Sequence, residues 1–429
     1  MKLNIKKTIL VGLAFLSICT FWQMYDNEIP LILENSFHLS PTLIGVIMAL
    51  DNVMAVVLLP VFGSLSDHVD TKHGRRTPFI AVGTILAAIL LILLAAAASV
   101  RSLPMFVVVL LLLLLAMSSY RSPAVALMPD VTPKPLRSQA NAIINLMGTV
   151  GAIIALVLIP VLGARTAEDS YLPLFAVIAA VMVAALAVLL LTVDENSMRA
   201  EREKADAVLA GDEDAEDAGK QNATLSPEVR RSLYLLLASV VLWFLAYNAV
   251  TTAFSRFYQD YWGLQDKGYS RCLLVGTCVA VLAYIPAGRL ATLFGRRRTI
   301  QIGVTILALS FLTACFFHTY TPGINVVFGT VGIGWAFINV NSYPMVVEMS
   351  GGADIGRFTG FYYTASMSAQ IVTPILSGWL IERLGYTILF PYAVFFAACA
   401  LVTISLVRHG DAKAAPLSAM EQLGSIDND

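Results

Sequence analysis

The sequence predicts an all-α membrane protein of twelve transmembrane helices, arranged as two six-helix halves with pseudo-two-fold symmetry. Three observations lead there. Of 429 residues 58% are hydrophobic and only 13% charged, too apolar for a soluble chain. The apolar residues come in blocks of roughly twenty, the length a helix needs to cross ~30 Å of hydrocarbon, not in the ten-residue alternation of a barrel strand. One charged, Ala/Asp/Glu-rich stretch without an apolar face, residues 194–231, divides the blocks six and six, and is expected to be a flexible cytoplasmic linker.

Expected helices run over residues 8–33, 41–66, 78–100, 103–128, 139–163 and 171–193 in the first half (1–193). In the second half (232–408) they run over 232–261, 269–293, 299–319, 323–347, 358–382 and 386–408, and residues 409–429 form a tail. The N-terminal Lys2, Lys6 and Lys7 precede an apolar run that continues into WQMYDNEIP without a small-residue cleavage pattern, so it is an uncleaved first helix. With the N-terminus in the cytoplasm, 21 of the 28 Lys and Arg fall on the cytoplasmic side, 5 outside and 2 within helices. The positive-inside rule therefore orients both termini to the cytoplasm of a plasma membrane.

Between the second and third helices lies GSLSDHVDTKHGRRTP, residues 63–78, a basic break with a lipid-anchoring reading and a gating one. PVFGSLSD before the basic cluster is echoed by PAGRLAT at residues 286–292, and Gly74-Arg75-Arg76 by the Gly295–Arg298 cluster. Gly63 and Gly288 are 225 residues apart, about half the chain, and Thr292 stands where Asp67 does in the first copy. Parallel repeats of six helices are a transporter architecture.

Ionisable groups in hydrocarbon cost ~3 kcal/mol at the centre on insertion scales and are functional candidates by default. Asp26 shares a helix face with Trp22 and Ile29 and is a proton-accepting candidate, or else a carboxylate near the outer surface. Asp51 lies about ten residues from each end of the second helix, and Arg121 is the one cation of the fourth. They form either a coupling pair or a permanent salt bridge. Arg256 and Asp260, one turn apart, are expected to pair locally. Asn145, Asn248, Asn341 and Gln370 offer the donors and acceptors that suit sugar hydroxyls, though such groups also bond helix to helix. Trp22 and Tyr25 offer ring faces for a sugar.

A Gly, an Asp four residues on and a Gly-Arg-Arg cluster resemble the signature loop of the major facilitator superfamily. The long form, with GRRTPFI after SD, is similar to the sucrose–proton symporters of the glycoside-pentoside-hexuronide group. ALMPD at residues 126–130 is similar to the family's Arg-Ala-Leu-Leu-Ala-Asp element, with Asp130 on the family Asp and Val125 where its substrate-binding Arg stands. The resemblance implies proton-coupled import of a disaccharide or related glycoside, with a small-molecule sugar and the lipid bilayer as partners and a monomeric carrier. It also implies gating by Gly63, Asp67, Gly74, Arg75, Arg76, Asp130, Gly288 and Arg296. An exporter of drugs and a membrane sensor are the alternative readings.

Near-neutral net charge gives no reason for nucleic-acid binding. No Walker-type loop, nucleophile–base set or Cys/His metal spacing occurs, so neither an enzyme nor a metal or cofactor is expected, only a coupling ion, H+.

Overall fold

The computed structural model describes residues 3–166, 168–210, 226–349 and 355–410. Every described element longer than an isolated bridge is helical. In the first part these are α1 (Ile5–Val11), α2 (Leu13–Asn35), α3 (Pro41–His68), α4 (Thr77–Ser99), α5 (Leu103–Val131), α6 (Arg137–Leu162), α7 (Leu172–Thr192) and α8 (Glu195–Ala210). After the linker come α9 (Pro227–Arg256), α10 (Tyr269–Phe294), α11 (Arg296–Ala314), α12 (Ile324–Glu348), α13 (Ile355–Leu384) and α14 (Leu389–Leu406).

Each expected helix has a counterpart, the first broken at Gly12 into α1 and α2. The count of spans is smaller than twelve by composition. Nine described helices are long and apolar enough to cross a membrane, or ten when the α1–α2 pair, bent by 40°, is one span. α11 and α13 fall outside that set. α11 begins with Arg296, Arg297 and Arg298, and α13 carries polar residues such as Thr364, Ser366, Ser368 and Gln370 along its length.

The chain divides into two compact units: residues 1–38 with 51–216, and residues 39–50 with 217–427. In this division the first turns of α3 group with the second unit. There a Cβ on Gly45 would collide with the Pro374 carbonyl, so only glycine permits that approach.

Within the first unit α2 packs on α6 and α7, and α4 on α5 and α7. Within the second unit α9 packs on α13 and α14, and α11 on α12 and α14. Taken in chain order these four pairings occur in both units, whereas α10 packs extensively on α12 and the corresponding α3 and α5 do not pack to a comparable extent. α11 and α12 meet backbone to backbone: a Cβ on Gly303 would lie 2.8 Å from the Gly334 carbonyl, and one on Gly334 equally close to that of Gly303. Gly332 is closed in the same manner by Gly276 of α10, whereas at Gly329 a Cβ would find ordinary contact. A Gly334→Leu chain is therefore expected to lose about 1–3 kcal/mol of stability, read as a lowered melting temperature in detergent, while Gly329→Ala changes it little.

The stretch 194–231, expected to be structureless, is a helix over its first part. α8 stands directly after α7 and docks on the loop between α3 and α4. The remainder of the linker from residue 211 to 225, and the tail from residue 411, lie outside the described residues.

Candidate functional site

The first unit carries two polar assemblies. One is built from α2, α3 and α5 in the apolar span. On α2, Trp22 and Tyr25 meet edge to face with ring centroids 5.2 Å apart, Phe21 closing on both. Tyr25 is fully buried, and neither its hydroxyl nor the Trp22 Nε1 has a hydrogen-bond partner. The Arg121 guanidinium of α5 lies over the Trp22 ring, 5.6 Å from its centroid. Asp26 interacts electrostatically with both Asp51 of α3 and Arg121, and Tyr25 with both carboxylates. The Asp51 Oδ1 accepts from Asn52 Nδ2 at 2.7 Å.

Five predicted residues thus converge: Trp22, Tyr25, Asp26, Asp51 and Arg121. The permanent Asp51–Arg121 salt bridge does not form; among the described residues no carboxylate lies within 4.0 Å of Arg121. Instead the guanidinium takes the face of an indole, which satisfies a cation without neutralising it. Two carboxylates facing a single cation can shed their mutual repulsion by binding one proton. Glu28, on another face of α2, is fully buried and interacts with Tyr171.

The second assembly is the loop of residues 63–78. Gly74 has φ of +105°, open to glycine at little cost, and a Cβ there would strike the Glu195 carboxylate. That turn delivers Arg76 to Asp67, with which it pairs, and its Nε to Asp130 Oδ2 at 2.7 Å. The same guanidinium donates to the Gly63 carbonyl at 3.3 Å and to the Ser66 hydroxyl. Gly63 also lets α3 approach Ser122 of α5, whose Oγ would lie 2.8 Å from a Cβ. Asp67 is thereby held by Arg76 and not by Arg75, whose Nε is buried without a hydrogen-bond partner.

Glu195, at the start of α8, was missed from sequence. Its carboxylate is 1% exposed and accepts from the backbone N–H of Arg75 at 2.7 Å, of Arg76 at 3.0 Å and of Thr77 at 2.8 Å. The Thr77 hydroxyl adds a fourth bond at 2.7 Å. These are the orphan donors at the N-terminus of α4, whose own cap residue supplies no side-chain acceptor, and a negative charge there also meets the positive end of the helix dipole. Asn196 Nδ2 donates to the carbonyls of Thr71 and Lys72, and Lys7 pairs with Glu201 at 3.0 Å. The signal in sequence is only an acidic residue after a span; which helix it caps is a tertiary fact.

In the second unit the matching turn has Gly295 at φ +90° and an Arg296–Glu348 ion pair of 2.9 Å, joining the start of α11 to the end of α12 as Arg76–Asp130 joins α4 to α5. Gly288 is buried in α10. Asn145 of the first unit is buried, and its carbonyl takes the Thr149 hydroxyl. Asn248, Asn341 and Gln370 lie in the second unit. Asn341 spends its amide on the Phe337 carbonyl of its own helix at 2.9 Å, and the Asn248 carbonyl takes the Thr252 hydroxyl at 2.7 Å. There Tyr247 and Trp335 stack face to face at 3.8 Å. The five cysteines, Cys19, Cys272, Cys278, Cys315 and Cys399, are free.

Because Asp67 ties down a guanidinium that Asp130 also holds, Asp67→Asn is expected to lower turnover several-fold while leaving substrate affinity within about twofold, measured by initial uptake against equilibrium binding.

Comparison with known proteins agrees with this architecture. A curated relative, the uncharacterized protein in the sodM 3′ region of Geobacillus stearothermophilus, is 27% identical over 187 residues, 42% of this chain and 86% of that protein. The uncharacterized protein YqgE of Bacillus subtilis is 28% identical over 137 residues, 31% of this chain and 32% of that one. Among solved structures, a mutant of the nucleoside transporter NupG superposes with a TM-score of 0.69 at 16% identity, covering 94% of this chain and 98% of its own. A POT family transporter in complex with a thioalcohol-conjugated peptide gives 0.67 at 12% identity, covering 94% and 95%. Family and fold are those of transporters, not enzymes, and carry a membrane-embedded protein with a small-molecule substrate. The profile of the Major Facilitator Superfamily matches residues 11–282 and 272–424, and the chain belongs to that superfamily.

Proposed function

We propose that the protein is a secondary transporter of the plasma membrane that imports a disaccharide or related glycoside together with protons, by alternating access, with both termini in the cytoplasm. The observation that carries this reading is the cluster in the first unit: Asp26 and Asp51 in mutual electrostatic reach with Arg121, next to the unpartnered donors of Tyr25 and Trp22. Buried donors left unbonded cost ~1–3 kcal/mol each, so a hydroxyl-rich solute that accepts from them recovers that cost. A proton taken by the carboxylate pair leaves Arg121 with one counter-charge instead of two. Proton binding and substrate binding then act on the same few groups. The signature loop, with its Asp67–Arg76–Asp130 chain, is the gating element in this reading.

The test is uptake into proteoliposomes under an imposed proton gradient, with labelled sucrose and maltose beside uridine and a dipeptide. Accumulation of a glycoside that collapses with the gradient is the expected result. No glycoside uptake, or accumulation that survives collapse of the gradient, removes the reading; uridine or dipeptide uptake alone moves it to another substrate class.

A further inference from the structure

α9 ends at Arg256 and passes directly into a π-helical turn, Phe257–Tyr261, an irregularity frequent at functional positions. Arg256 is 4% exposed, and its Nε and Nη1 are buried without a hydrogen-bond partner. The preceding Ser255 is fully buried, and its Oγ is unpartnered too. The sequence assigned Asp260 to Arg256 as a local ion pair, and the structure corrects this. Asp260 is exposed, and no ion pair joins the two among the described residues. A carboxylate that stays in water keeps its hydration and gains little from a buried cation it does not reach.

The other described carboxylates of the second unit are committed elsewhere or lie at the far end of α9. Asp266 accepts from the Tyr258 hydroxyl at 2.7 Å and from the Gly268 N–H at 3.2 Å. Glu348 holds Arg296, and Glu382 takes the Thr42 N–H at 3.2 Å. Glu228 sits in the first turn of α9. A guanidinium offers five N–H donors and no acceptor, so its partner has to come from outside the unit's own carboxylates.

The surroundings hold the turn in place. Phe257 and Tyr258 each meet Trp262 edge to face, at 5.0 and 5.6 Å, and Phe254 packs on Phe328 at 4.4 Å. At 4% exposure the guanidinium lies away from water, where a charge-assisted hydrogen bond is stronger. The planar guanidinium fork matches the two oxygens of a carboxylate or phosphate.

We propose that Arg256, at the junction of α9 and its π-helical turn, is a binding site for an oxyanion, a carboxylate or phosphate carried by a small organic solute or by a lipid headgroup. This goes beyond the glycoside reading and does not rest on it: the site lies in the second unit, whereas the Asp26–Asp51–Arg121 cluster lies in the first, and binding here needs no ion gradient.

The test uses the full chain, purified in detergent and delipidated, with thermal unfolding followed against methyl glucuronide, methyl glucoside and inorganic phosphate. A parallel arm compares nanodiscs of phosphatidylcholine with and without phosphatidylglycerol. The expected result is a raised melting temperature with methyl glucuronide or phosphate, none with the neutral glucoside, and apparent affinity weakened at least about tenfold in Arg256→Gln. Stabilisation of the wild type only by phosphatidylglycerol, lost in Arg256→Gln, assigns the oxyanion to a lipid headgroup. If Arg256→Gln does not fold, Arg256→Lys, which keeps charge but loses the fork, and Ser255→Ala carry the comparison, each expected to weaken the response. Absence of any anion response in the wild type in both arms, or responses unchanged in these variants, overturns the proposal.

Discussion

Asp51→Asn is expected to abolish uphill accumulation while preserving exchange of labelled for unlabelled substrate across the membrane. The reason lies in what the side chain touches. Asp51 interacts with Arg121, which lies over the Trp22 ring, and with Asp26, but forms no salt bridge with the arginine. An amide of the same size keeps the shape and can still bond Asn52, yet it has no proton to load and release. One proton driven through 100 mV supplies ~2.3 kcal/mol, equivalent to an accumulation of about fifty-fold, so the ratio of internal to external substrate should fall from tens toward one. The measurement is a pair of assays on the same proteoliposomes, gradient-driven accumulation and counterflow. Loss of both with a normal melting temperature would assign Asp51 to substrate binding. Retention of accumulation would move the coupling proton to Asp26, and Asp26→Asn then becomes the decisive variant.

Glu195→Ala is the second large effect, and it falls on a residue far from that cluster in sequence. The carboxylate satisfies three backbone N–H groups and the Thr77 hydroxyl at the start of α4. Removing it leaves these donors in a buried setting and also withdraws a negative charge from the helix N-terminus, together a loss of about 3 kcal/mol. The melting temperature in detergent should drop by several degrees. Uptake should fall with it, because the backbone of Arg75 and Arg76 is what Glu195 holds, and Arg76 in turn holds Asp67 and Asp130. Glu195→Gln keeps one acceptor oxygen without the charge and should lie between. Glu201→Ala, which breaks only the exposed pair with Lys7, should change little. An unchanged melting temperature in Glu195→Ala would show that α8 is a passenger on the loop and not its support.

The corrections share one cause. Of the two arginines expected in the gating loop it is Arg76 that pairs with Asp67, Arg256 lacks the Asp260 it was expected to hold, and part of the linker is a docked helix. In each case the residue types were the expected ones, while the partner or environment was decided by helix rotation and by which turn a glycine allows. Gly74 at φ +105° aims the Arg-Arg pair, and no spacing along the chain encodes which of two adjacent arginines reaches an acid a loop away.

What the sequence determined by itself is the part governed by solvent. Blocks of about twenty apolar residues set the helices because a bilayer admits few other backbone solutions. The signature loop and its echo marked the superfamily, and Trp22, Tyr25, Asp26, Asp51 and Arg121 stood out because charge and polarity are costly where they occur. The tertiary structure alone decided the pairings. It placed Arg121 over an indole instead of on a carboxylate, put Glu195 under the N-terminus of α4, and left Arg256 buried without a partner. Hydrophobicity acts residue by residue and can be read along a chain, whereas hydrogen bonds and ion pairs are short-range and directional, so they exist only once the helices have packed.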